Sequence, residues 1–198
     1  MNQVIETIRS RRSIRKMRED PPTREQIEQI LEASTWAPNH FLTEPWRFVV
    51  ISGEERKKLG DVLAQAVASK MPQQKTEDPE QQKRDEEQLR AEREKPLSAP
   101  VIIAAIFSPR NDEAKIVQQE ELVAAGAALQ NLLLAAHSLG LGAIIRTGKQ
   151  AYAEQVRSYL GIREKESLLG LVFLGYPSEP PRPTKRTPID AKVQWRGL

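Results

Sequence analysis

Between Ser10 and Met17 the sequence SRRSIRKM carries Arg11, Arg12, Arg15 and Lys16, four cations in eight residues, with the Ser13 hydroxyl among them. Guanidinium groups present paired N–H donors that fork onto phosphate oxygens, and a neighbouring hydroxyl adds another donor. Standing alone, such a cluster reads first as a solvated basic turn and second as a patch against nucleic-acid phosphates. A second stretch, WAPNHFLTEPWRF, sets Trp36, His40, Phe41 and Trp46 among turn-forming and polar residues just before an apolar run. That is the composition of an aromatic-lined ligand loop.

Other chemistries lack their residues. GAIIRTGK has the end of a phosphate loop, but Ala143 stands where the first glycine is required and Gln150 follows Lys149. No G-x-G-x-x-G and no G-x-S-x-G occurs. His40 and His137 are far apart and have no flanking carboxylate at ligand spacing, so no metal site is expected. His137, near the end of a helical stretch, is expected to interact with the helix dipole. With no cysteine in the chain, thiol catalysis and disulfides are excluded and a reducing cytoplasm is the expected compartment.

The elements that must position these residues follow from pattern. Thr23 and Gln26 form a capping box ahead of Ile27, Ile30 and Leu31, and Pro38 closes that helix. WRFVVIS and APVIIAAIF read as buried strands, with GAIIRTG and LLGLVFLGY as two more. Ser52 and Glu55 suggest a second capping box, opening a helix with a stripe at Leu59, Val62, Leu63, Ala66 and Val67. Residues 71–96 turn to Gln, Glu, Lys and Arg, with Asp78 and Pro79 at N-cap and N1 of an exposed helical excursion or lid. The apolar helix from Leu122 to Leu139, closed by Gly140, belongs in a core or at a subunit interface. AYAEQVRSYLG is a further helix, and residues 177–198 form a Pro-rich extended tail.

At 198 residues, 39% hydrophobic and 29% charged, the chain suits one folded domain over residues 1–198. A net charge of +3 decides little about partners. No apolar run is long enough to span a membrane. Strands interleaved with helices leave the class open between α/β and α+β.

Taken together and in order, RSRRSIRKM, EASTWAPNHFLTEPWRFVVI, GLGAIIRTG, LLGLVFLGYPSEPP and KRTPID resemble the nitroreductase family, in its compact branch, from about Ile5 to the C-terminus. The resemblance implies an α+β fold with a mainly antiparallel central sheet surrounded by helices. It implies an intertwined homodimer holding FMN at the subunit interface. It also implies an NAD(P)H-dependent flavin oxidoreductase: hydride passes from NADH or NADPH to flavin N5, then to a small electrophilic acceptor such as a nitroaromatic, quinone or enone, in a ping-pong cycle. By position, Arg11, Arg12 and Ser13 match the residues at the phosphate and ribityl end of FMN, and Arg15 the cation near N1 and the C2 carbonyl. Trp36 and His40 match positions reaching the flavin from the partner subunit, with His40 a candidate proton donor. Ile145, Arg146 and Thr147 match the segment along the isoalloxazine ring, and Arg186 a tail arginine at the phosphate. Arg9 and Lys16 carry no role and are expected to be solvated. The chain departs from the family pattern at Trp36 and Glu44, which bear on substrate range. A flavin-binding member without turnover and a basic nucleic-acid-binding protein are the alternatives.

Overall fold

A computed structural model of the chain describes residues 2–72, 78–110, 115–181 and 183–197. Helix α1 spans Gln3–Ser10 and α2 Arg24–Thr35; strand β1 is Trp46–Ser52; α3 is Glu55–Ala68 and α4 Pro79–Glu94. Then come β2 (Val101–Phe107), α5 (Gln118–Ser138), β3 (Gly142–Arg146), α6 (Glu154–Tyr159) and β4 (Ser167–Gly175).

The four strands form one antiparallel sheet in the order β1-β2-β4-β3. Its central strands are apolar without alternation because helices cover both faces. On one face Ile102, Ala104, Ile106, Leu171 and Phe173 pack against Leu59 and Leu63 of α3 and Val156 of α6. On the other, Val101, Ile103, Val172 and Leu174 meet Ile30 of α2 and Leu132, Leu133 and Ala136 of α5. An antiparallel sheet between two helical layers settles the class as α+β.

Local signals set several boundaries. Thr23 Oγ1 accepts the Gln26 N–H while Gln26 Oε1 accepts the Thr23 N–H, the reciprocal box that starts α2. The Tyr176 hydroxyl also donates to Gln26 Oε1, at 2.9 Å, tying the end of β4 to that cap. Asp78 caps α4, with Pro79 at its first position. Gly140, at φ +76°, ends α5 in the left-handed conformation that a β-carbon disfavours. The expected Ser52–Glu55 box is not formed. Ser52 is paired with Val101 in the ladder, Glu54 is the N-cap of α3, and it makes no side-chain capping bond.

Of the 71–96 segment, residues 73–77 lie outside the described residues; α4 itself has no buried residue and lies against α3. The contact is close at Gly60, where a β-carbon would stand 2.0 Å from the Arg93 carbonyl oxygen. Beside it Arg93 Nε donates to Asp61 at 2.9 Å. No helix among the described residues is long and apolar enough to cross a membrane.

Candidate functional site

The basic N-terminal stretch leaves α1 at Arg11 and runs along the free edge of β3. Ser13 bridges Ala143 in parallel fashion, and the Ile14 N–H donates to the Ala143 carbonyl at 3.1 Å. Gly142 makes this approach possible, since a β-carbon there would lie 2.8 Å from Ile14 Cβ and Cγ1. The same segment then meets the chain leaving β4. Arg18 N–H donates to the Tyr176 carbonyl at 2.8 Å, Ser178 N–H to the Lys16 carbonyl at 3.2 Å, and Met17 bridges Pro177.

Between these two segments lies a cleft of about 650 Å³. Arg11, Arg12, Ser13 and Arg15 line one side; Pro180, Pro181, Pro183, Thr184 and Arg186 line the other. Residues more than 160 positions apart in sequence are thus brought to one site. Among the described residues, no carboxylate lies at ion-pair distance from Arg11, Arg12, Arg15 or Arg186. Burial lowers the pKa of the Arg11 guanidinium, and the charges of Arg12 and Arg186 lower it further. That repulsion marks a place where positive charge accumulates.

Arg146, at the end of β3, extends the cluster. Its guanidinium carbon lies 4.8 Å from the Phe173 ring centroid, and its buried Nε donates to nothing among the described residues. Burial and then the charge of Arg15 lower its pKa, while Glu92 of α4 acts in the opposite sense. A buried N–H without an acceptor costs about 1–3 kcal/mol.

The remaining positions fall in different surroundings. Ile145 packs above Gly170, where a β-carbon would lie 2.5 Å from Ile145 Cγ2. Thr147 follows the last residue of β3. Trp36, 80% exposed, and His40 do not line the cleft. His40 begins a 3-10 turn (His40–Leu42) beside α5, its Nδ1 3.5 Å from Glu120 and its ring edge-on to Phe41. Phe41, Leu42 and Glu44 all have positive φ, an accumulation of backbone strain in a loop that exposes Phe41 itself. Arg12 Nη1 folds back onto the carbonyls of Arg9 and Arg11, at 2.6 and 2.8 Å, which leaves the rest of its guanidinium for the cleft.

Three features are invisible to pattern reading because they join distant residues. Lys16, expected to be solvated, pairs with Glu179 at 3.1 Å. Ser10 Oγ lies 2.8 Å from His137 Nε2, joining α1 to α5. His137 does lie in the last turn of α5, and burial, then the charges of Arg11 and Arg12, lower its pKa from 6.5. Among the described residues no group of three His, Asp or Glu side chains is placed to hold a metal ion.

Known proteins resemble this chain in both sequence and fold. The family model described as "Nitroreductase family" matches residues 8–176. The "Putative NAD(P)H nitroreductase YfhC" of Bacillus subtilis (strain 168) is 33% identical over 92% of this chain and 88% of its own. A crystal structure of a nitroreductase-like family protein from Bacillus cereus superposes with a TM-score of 0.79 at 28% identity, covering 100% of this chain and 98% of that one. A "putative nitroreductase in complex with fmn" from Desulfovibrio desulfuricans gives a TM-score of 0.72 at 28% identity, with 100% and 99% coverage. With its model spanning the cationic segment, the sheet and the end of β4, the chain belongs to the nitroreductase family.

Proposed function

We propose that this chain is an FMN-dependent NAD(P)H oxidoreductase whose flavin phosphate sits in the cleft between residues 11–16 and 179–186. The observation that carries this reading is the set of guanidinium groups without carboxylate partners, Arg11, Arg15 and Arg186, converging on one cleft. Arg146, whose pKa the nearby charge of Arg15 helps to lower, sets a further cation at the neighbouring strand end. FMN is the group to which this donor set is chemically matched, with a phosphate for the forked guanidinium donors and carbonyl and ring nitrogen acceptors at its other end.

When bound, FMN supplies hydride acceptance from NADH or NADPH and delivery to a small electrophilic acceptor, such as a nitroaromatic, quinone or enone, in alternation. Arg11, Arg12, Ser13 and Arg186 hold the phosphate and ribityl end. Arg15 fixes positive charge at the pyrimidine end, where reduction places negative charge, and an arginine keeps that charge at every working pH. Ile145, Arg146 and Thr147 border the ring, and Trp36 and His40 reach it from the partner subunit of a homodimer, with His40 or solvent as proton donor. The apolar residues left exposed on α1 (Val4, Ile5, Ile8) and α5 (Leu122, Val123) support that second subunit.

The test is optical. Purified protein should be yellow or become so on adding FMN, and NADH or NADPH should bleach it without oxygen. Arg11→Ala or Arg15→Ala, each removing a charge-assisted hydrogen bond, should weaken FMN binding about 10- to 100-fold. Protein that takes up no FMN and oxidises neither nicotinamide overturns the proposal.

A further inference from the structure

One carboxylate stands in the wall of the cationic cleft. Glu179 lines it together with Arg11, Arg12, Arg15 and Arg186, and its Oε2 lies 3.1 Å from Lys16 Nζ. Of the cations lining the cleft, Lys16 alone has a carboxylate partner among the described residues. An exposed ion pair between long side chains is ordinarily worth little, because holding both in one geometry costs side-chain entropy. Here the main chain supplies the geometry. The Met17–Pro177 bridge, with the hydrogen bonds Arg18 N–H to Tyr176 O and Ser178 N–H to Lys16 O, sets residues 16 and 179 side by side before their side chains meet.

The two flavin cofactors place charge differently. The phosphate monoester of FMN concentrates its charge on three terminal oxygens, which Arg11, Arg12 and Arg186 suffice to surround. The pyrophosphate of a flavin dinucleotide spreads the same charge over two phosphoryl groups, and a cation beside the second group strengthens its binding. Lys16 borders the cleft on the same segment and is the cation within reach.

We infer that Glu179 is a specificity-determining residue: by holding Lys16 it favours a flavin mononucleotide in the cleft and withholds from the dinucleotide a cation for its second phosphoryl group. This rests on the reading of the cleft as the flavin phosphate site. The experiment titrates the apo-protein with FMN and, separately, FAD, following flavin fluorescence, for the natural chain, Glu179→Gln and Lys16→Gln/Glu179→Gln. Glu179→Ser provides a second replacement, and thermal melts establish that each variant is folded. The natural chain should prefer FMN. Glu179→Gln should narrow the FMN-to-FAD affinity ratio about two- to five-fold by strengthening FAD. The narrowing should vanish at about 1 M salt, where the screening length is only about 3 Å, and vanish in the double variant, which has no ammonium to release. A ratio unchanged by Glu179→Gln, or a narrowing that persists in the double variant, overturns the inference while leaving the FMN site standing. A natural chain that binds neither flavin overturns the site itself and the inference with it.

Discussion

Glu166 is 4% exposed yet remains ionised, because Arg47 donates to it from Nε and Nη2 at 3.1 and 2.8 Å and Arg163 from its backbone N–H and Nη2 at 2.9 and 2.6 Å. Burial alone would raise the carboxyl's pKa, but these bonds outweigh it and hold the group well below its ordinary 4.5. On acidification the unfolded chain therefore takes up the proton first. The stability this group contributes is complete above about pH 4.5 and is lost as pH falls toward the folded value. Glu166→Gln should lower stability near neutrality by about 2–3 kcal/mol and flatten the acid limb, read by urea unfolding between about pH 3 and 7. His137 gives a residue-scale report on the cleft. Arg11 and Arg12 help to depress its pKa, so an anion set against them should raise the His137 titration midpoint. With two histidines in the chain, imidazole NMR resolves the change on adding FMN. An unmoved midpoint would place the flavin phosphate away from these arginines.

At the scale of elements, what the sequence revealed depended on how local the cause was. The Thr23–Gln26 box formed because both partners lie within one turn, and β2 and β4 were legible as strands because burial on both faces makes them apolar nearly throughout. β1 was legible from its aromatic and β-branched residues, but it is an edge strand in which only Ile51 is buried, not the buried strand expected. The Ser52–Glu55 box matched in letters but failed in space, since the β1–β2 ladder had already taken the Ser52 backbone. The Arg11–Arg15 cluster was legible as a concentration of charge, and the family resemblance named Arg186 of the tail with it, but neither the Pro180–Thr184 wall nor Glu179 beside Lys16 could be read from the sequence. Those contacts follow from the order of strands in the sheet. Glycines marked the close approaches only in retrospect, and Gly170 gives a direct test. Gly170→Ala would drive a methyl into Ile145 Cγ2, 2.5 Å away, displacing the strand end that carries Arg146. It should destabilise the fold by about 1–3 kcal/mol. Adding Ile145→Ala removes the obstructing methyl, so the double variant should be more stable than the sum of the single effects by about 0.5–3 kcal/mol. Additive losses in thermal unfolding would show that Ile145 and Gly170 do not press on each other.

At the scale of the molecule, the apolar surface left uncovered is unevenly placed. Val4, Ile5 and Ile8 lie on one side of α1 at 65%, 50% and 50% exposure, and Leu122 and Val123 project from the first turns of α5 at 47% and 69%. A helix buries an apolar stripe against something, and none of α1's residues is buried by its own chain. The proposed homodimer gives α1 that surface. It also accounts for Trp36 and His40, proposed above to reach the flavin from the partner subunit, which lie away from the cleft of their own chain. Assembly and cofactor retention should then fail together. Light scattering should find the natural protein dimeric, and Ile5→Glu with Ile8→Glu should shift it toward monomer while leaving each folded chain intact by circular dichroism. Because α1 runs directly into Arg11, the control is Lys57→Glu on the exposed surface of α3, which should change neither mass nor colour. If the monomeric variant releases FMN while keeping its fold, the partner subunit completes the site. If it stays yellow with unchanged FMN affinity, the arginines of a single chain hold the flavin, and Trp36 and His40 have no part in binding it.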